Sequence, residues 1–181
     1  MSKAPPPVVE SLAARLMTVQ NNYVLGLASL ALLTAPEAQA VLRRDCASFG
    51  GYEVQFAQVA DLFSNSEHRD DACKSLLIMH MCSLIKDSFE LCRHHCKAAG
   101  VLPQMRVEPW FQFARLVRNC IAHNFEFEFS QFDLTILPAT WLGRSITQAM
   151  NGGPLPVSFF GYREAWELFQ DIRSFAVRSG V

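Results

Sequence analysis

Apolar side chains recur at steps of three and four residues along most of this chain, the spacing of amphipathic helices rather than strands. Val9, Leu12, Leu16, Val19, Tyr23, Leu27 and Leu30 share one face, which predicts a long first helix after three prolines. Gly26 weakens it slightly. It should stop near Leu33, where Thr34-Ala35-Pro36-Glu37 has the form of a capping box opening a short second helix that reaches about Asp45. Gly50-Gly51 then breaks the chain, and a third helix is expected from about Glu53 to Phe63. Ser64-Asn65-Ser66-Glu67 offers a second capping box before the longest helical stretch. There Leu77, Leu84 and Leu91 line one stripe while Ile78, Met81, Ile85 and Phe89 line another, so this helix should sit at the centre of a bundle. Gly100 and Pro103 end it.

Beyond Glu108-Pro109, Trp110, Phe113, Ala114, Val117 and Ile121 form one face of a further helix, leaving Gln112, Arg115, Asn119 and His123 opposite. The period then changes to two. Phe125, Phe127 and Phe129 alternate with glutamates, and Phe132, Leu134 and Ile136 alternate with Asp133 and Thr135, which predicts a small β-hairpin turning near Ser130-Gln131. Trp141 to Met150 fits neither period, Asn151 to Pro156 reads as a loop, and Tyr162, Ala165, Trp166, Phe169, Ile172 and Ala176 mark a terminal helix. The expected fold is therefore mainly α: an antiparallel helical bundle with one small β-hairpin after the helix that ends at His123. As a single domain over 1–181 it divides into N-terminal helices about 7–63, central helices about 67–123, the hairpin about 125–137 and a C-terminal helix about 160–178.

Composition changes this picture little. Half of the 181 residues are hydrophobic, enough for a packed core. A formal net charge of -1 supplies no global positive field, so any contact with nucleic acid must be local. The opening residues lack the basic-then-apolar layout of a signal peptide, and the apolar run Val24 to Leu33 is short for a bilayer crossing. Six irregularly spaced cysteines, four of them inside helical patterns, suit reduced thiols and a cytoplasmic protein without membrane contact.

Candidate chemistry concentrates in Arg118-Asn119-Cys120-Ile121-Ala122-His123. Arg115, Asn119 and His123 follow one another at four-residue steps along one stripe, and Arg118 stands roughly 100° round the axis from Asn119. These residue types suit attack of an RNA 2′-hydroxyl on the adjacent phosphorus, a reaction that needs proton transfer and charge stabilisation but no metal. A histidine can move protons near neutral pH, an arginine presents a charged fork to phosphate, and an asparagine can orient either partner. DNA, lacking that hydroxyl, would be excluded.

The same segment, extended to Asn124, resembles the short Arg-Asn-x3-His form of the ribonuclease motif of the HEPN family. An arginine and a histidine at loosely allowed spacings are expected about once by chance in this composition, but requiring the four-residue spacing and Asn directly after Arg lowers that to about 0.01. The resemblance covers this helix end, and it implies a small helical bundle acting as a homodimer, with two motifs facing one another to form a metal-independent endoribonuclease of toxin or defence type. With the residue chemistry above, it makes His123 the expected general acid and base, Arg118 the phosphate and transition-state stabiliser and Asn119 the orienting residue, with Arg115 and Asn124 as secondary candidates for RNA contact. RNA and an antitoxin protein are the implied partners, and no cofactor or metal is expected. Where some family members carry a tyrosine that receives AMP, two residues after the histidine, this chain has Phe125. Silencing by modification there is therefore not expected.

Other readings stay open. A non-catalytic interaction or regulatory protein could use the same fold, and the segment could be a plain helix terminus, with His123 favouring the dipole, Asn124 ending the helix and Arg118 pairing with Glu126 or Glu128. Cys92-Arg93-His94-His95-Cys96 has two thiols on one helical face but lacks a fourth zinc ligand. Its basic residues, with Arg106 and Arg115, could instead meet RNA phosphates. His80 falls in an apolar pattern as a core histidine, and no phosphate loop, nucleophile elbow or dinucleotide fingerprint is present.

Overall fold

The computed structural model describes residues 11–180, so Val9 and the three prolines expected to open the first helix lie outside the described residues. The chain is mainly helical, with two small antiparallel β-hairpins. Its contacts group it into two compact units: Asn21–His80 form one, and the described residues up to Gln20 join Met81 onward in the other. Both boundaries fall inside continuous helices, α1 (Leu12–Leu33) and α4 (Ser66–Ala98), which is why the apolar periodicity carries no mark of them.

In the unit from Asn21 to His80, α2 (Pro36–Arg44) leads into a hairpin of β1 (Cys46–Phe49) and β2 (Tyr52–Gln55), followed by α3 (Ala57–Ser64). Gly50 takes the left-handed conformation (φ 60°) that closes this turn. The third helix thus starts later than its periodicity suggests, because Tyr52 to Gln55 pair with the preceding strand. Neither sequence-read capping box forms as expected. Thr34 turns back to the Ala31 carbonyl at 2.8 Å, while α4 is capped by Asn65, whose side chain accepts from the backbone of Glu67 and His68 at 3.0 and 3.1 Å.

Gly26 of α1 lies where any Cβ would overlap the imidazole of His80 on α4. The glycine therefore costs helix propensity but makes room for that ring. Gly26→Ala is expected to destabilise the protein by about 1–3 kcal/mol through overpacking, offset by up to about 1 kcal/mol of gained propensity. Denaturant midpoints test this: adding His80→Ala should recover stability, and an additive double variant would refute the contact.

α1 is 22 residues long, and its most apolar stretch has a mean hydropathy of 1.3, so by length and composition alone it reaches what a membrane crossing needs. The run Val24 to Leu33 understated this, because the helix begins at Leu12. The same length and composition also serve core helices of soluble proteins, and Leu12 and Leu16 of α1 are fully buried.

In the other unit, the end of α4 is followed by α5 (Leu102–Arg106) and α6 (Phe111–Ala122). Gly100, at φ 73°, ends α4, with the amide of Val101 bonded to the Cys96 carbonyl at 2.9 Å. Met81, Leu84, Ile85 and Phe89 of α4 are buried, as are Phe113, Ala114 and Val117 of α6 and Leu168, Phe169 and Ile172 of α8 (Tyr162–Arg178). This α8 agrees with the terminal helix expected over 160–178.

The hairpin expected over 125–137 is not formed. Phe125 belongs to the turn after α6, and the backbone from there to Phe127 pairs not with the residues after Ser130 but with Gly152 to Leu155: Phe127 donates to Gly153 at 2.9 Å and Leu155 donates to Phe125 at 2.7 Å. The second half is a helix, α7 (Gln131–Ile136), because Ser130 and Asp133 form a true capping box. Local side-chain hydrogen bonding thus overrides a period-two pattern that also fits one helical turn. The hairpin of this unit lies later and runs into the stretch that matched neither period: β3 (Ala139–Trp141) pairs with β4 (Arg144–Ile146) across Leu142-Gly143. It is held to α8 by Trp141 donating to Asp171 at 2.8 Å and by an ion pair of Arg144 with Glu164.

Candidate functional site

The apolar side chains of α6 fix its rotation, so its polar residues emerge at the surface in a set order. Phe113, Ala114, Val117 and Cys120 are buried, which leaves Gln112, Arg115, Arg118 and Asn119 partly exposed. His123 is the C-terminal cap, its amide bonded to the Asn119 carbonyl at 3.0 Å, and half of its side chain is exposed. Asn124 and Phe125 both adopt left-handed backbone, at φ 56° and 65°, and the Phe125 amide returns to the Cys120 carbonyl at 2.9 Å. Asparagine tolerates this conformation; phenylalanine does so only under strain of about 1–2 kcal/mol. Asn124, read from the sequence as an RNA contact, thus has a helix-ending role, and its side chain is exposed.

Arg118 does not meet Glu126 or Glu128. Its Nη2 lies 2.6 Å from Oε1 of Glu90 on α4, its Nη1 donates to the Asn119 carbonyl oxygen of the side chain at 3.1 Å, and its Nε is buried without a hydrogen-bond partner among the described residues. The other oxygen of Glu90 accepts from Arg93 at 2.7 and 3.0 Å. One carboxylate therefore holds two guanidinium groups. These residues, with Phe89, Arg115 and Asn119, line a cavity of about 250 Å³. Its three arginines are met by two carboxylates, Glu90 and Asp133, which leaves the concavity with surplus positive charge, suited to a phosphate or another oxyanion.

Arg115 is held differently. It pairs with the buried Asp133, donates through Nε to the side-chain oxygen of Gln112 at 3.2 Å and lies over the ring of Phe132 at 4.9 Å. Burial alone would raise the Asp133 pKa, but hydrogen bonds from Ser130 and the charge of Arg115 outweigh it and hold the carboxyl below its ordinary value. Arg115, Arg118 and Asn119 thus share one cavity, whereas His123 and Asn124 do not line it.

His123 instead faces Glu128, with Nδ1 3.2 Å from Oε2. A proton on Nδ1 would donate to that carboxylate, leaving Nε2 as the nitrogen open to a substrate. Neither Glu128, expected at most as a partner of Arg118, nor Glu90 stands out as a site residue from its position in the chain. Glu128 reads as the outward position of a strand, and Glu90 as a polar position on a helix; only the turn after α6 and the neighbourhood of α4 bring them to His123 and Arg118. Cys120, within the motif, is buried and its thiol is pushed up to about 12, by burial first and then by Glu126. It remains protonated at neutral pH and acts as an apolar side chain.

Cys92 and Cys96 are buried with their sulfurs 3.9 Å apart, and burial raises both thiol pKa values. Among the described residues, no group of three or more His, Cys, Asp or Glu side chains is placed to hold a metal ion. Set against family models, curated proteins and solved structures, the chain matches none.

Proposed function

We propose that this protein is a metal-independent endoribonuclease of HEPN type, cytoplasmic and homodimeric, of the toxin or defence class. One observation carries the reading: Arg118 and Asn119 are bonded to each other beside a positively charged concavity, one helical turn before an exposed histidine on the same helix. In the proposed reaction His123 takes the proton of the 2′-hydroxyl and returns one to the leaving 5′-oxygen, the second role falling to either copy of the dimer. Arg118 neutralises the charge that builds on the phosphoryl oxygens, and Asn119 orients the guanidinium. Neither role requires a metal or cofactor. Two copies would supply the paired motifs, and an antitoxin could act by covering them.

A second reading, a non-catalytic interaction protein of the same fold, is favoured by a different observation. Arg118 is already paired with Glu90 at 2.6 Å, and Asn124 is used to end α6, so both could serve stability alone. Incubation of purified protein with labelled RNA in EDTA separates the two. Cleavage that disappears in Arg118→Ala and in His123→Ala supports the enzyme. A wild type that leaves RNA intact, or variants that cut as well as it does, refutes it. Light scattering that finds only monomer during active cleavage would remove the dimer.

A further inference from the structure

We infer that the arginine-lined surface of α4, α5 and α6 is a binding trough for single-stranded RNA, extending from Arg118 to Arg106, with Phe132 as a stacking face for an unpaired base. The inference rests on the proposed ribonuclease reading for the identity of its anion. Its first support is continuity. The cavity beside Arg118 and Asn119 shares Arg93 and Arg115 with a second cavity of about 350 Å³, whose lining adds Arg106, Phe111 and Phe132. That volume falls in the range of small-ligand sites, about 300–1,000 Å³.

The second support is charge. Arg93, Arg106, Arg115 and Arg118 are met by two carboxylates, Glu90 and Asp133. Arg106 is exposed and has no ion pair among the described residues. A chain of net charge -1 thus concentrates surplus positive charge beside the motif. Glu90 and Asp133 do not cancel it; they hold three guanidinium groups in place, so that little side-chain freedom is lost when phosphates arrive.

The third support is the aromatic ring. Phe132 is 58% exposed although it sits at the edge of a packed helix, with the Arg115 guanidinium over its ring at 4.9 Å. An exposed ring carrying a cation is the arrangement on which bases stack without sequence preference. Stacking needs an unpaired base, and the bases of an A-form duplex are already stacked on each other, so the trough selects single strands.

Fluorescence anisotropy with a labelled single-stranded oligoribonucleotide tests this, using His123→Ala protein so that the probe stays intact. Adding Arg106→Ala is expected to weaken binding about 5-fold and to lower the salt slope of the affinity by about 0.7, one phosphate contact on a single strand. Adding Phe132→Ala should weaken binding about 10-fold with little change in that slope, within the range of one lost base stack. Phe132→Tyr should restore it. Arg163→Ala, at an 83% exposed site on α8, should change nothing, and a duplex of the same sequence should bind at least about 10-fold more weakly. Affinity and slope unchanged in both trough variants would overturn the trough while leaving the cleavage reading intact. Displacement of the RNA by polyglutamate at equal charge concentration would also overturn it. Binding with the expected pattern by a wild-type protein that cuts nothing would support the trough and defeat the nuclease.

Discussion

Replacing His123 by alanine is expected to slow RNA cleavage by about 10²–10⁴-fold, the range of a lost general acid or base. Within the motif the neighbouring Cys120 cannot take this part, because burial keeps its thiol protonated. The position of His123 at the end of α6 leaves half of the side chain exposed, while Glu128 engages Nδ1. Arg118→Ala should cost about 10²–10³-fold, as expected for one donor to developing oxyanion charge. Arg118→Lys should recover little, since an ammonium cannot serve Glu90, Asn119 and a phosphate through one planar fork. The two losses should not add: a unit of residues acting on one transition state fails once either member is gone. Single-turnover rates in EDTA check all of this. A His123→Ala enzyme that keeps more than about a tenth of the wild-type rate would rule out its role as proton carrier.

How far such a site can be read before folding depends on the range of the forces involved. The faces of α6 and α8 were legible because each is decided within the helix: Trp110, Phe113, Val117 and Ile121 recur at helical spacing and are all buried. The end of α4 at Gly100 was legible for the same reason, since a left-handed residue there demands glycine or asparagine. The Phe125 to Ile136 segment misled because alternation indicates extended backbone without naming its partner. Gly152 to Leu155 lie more than 20 residues away, and the competing signal, Ser130 with Asp133, is a four-residue motif inside the supposed strand. Hairpin β3–β4 was invisible because six strand residues are too few to establish a period.

The candidate site follows the same division. Arg118, Asn119 and His123 could be named together because one helix and its C-terminal cap carry all three. Their partners could not, because Glu90 lies 28 residues before Arg118 on another helix, and Glu128 reaches His123 only through the two left-handed residues that end α6. The arginine trough is a similar case: Arg93, Arg106 and Arg115 come from three helices, and their convergence is tertiary. Net charge, the usual guide to RNA binding, averages this patch away.

The largest loss of stability is expected at Asp133, a buried carboxylate that joins local and tertiary structure. It caps α7 through the amide and hydroxyl of Ser130 at 2.9 and 2.6 Å, and it pairs with Arg115 of α6. Asp133→Ala should cost about 2–4 kcal/mol, somewhat below a fully buried pair because Arg115 keeps a fifth of its side chain in solvent, and about 1 kcal/mol of this is the lost cap. The pH dependence has a definite sign. The folded-state pKa is depressed, so the contribution is complete above the unfolded value of about 3.9 and is lost as pH falls through the lower folded value. Wild type and Asp133→Asn should therefore differ most at neutral pH and converge at low pH, as urea midpoints at pH 7 and in the acid limb would record. An equal gap at both ends would mean that the hydrogen-bonding shape of the side chain, and not its charge, fastens α7 to α6.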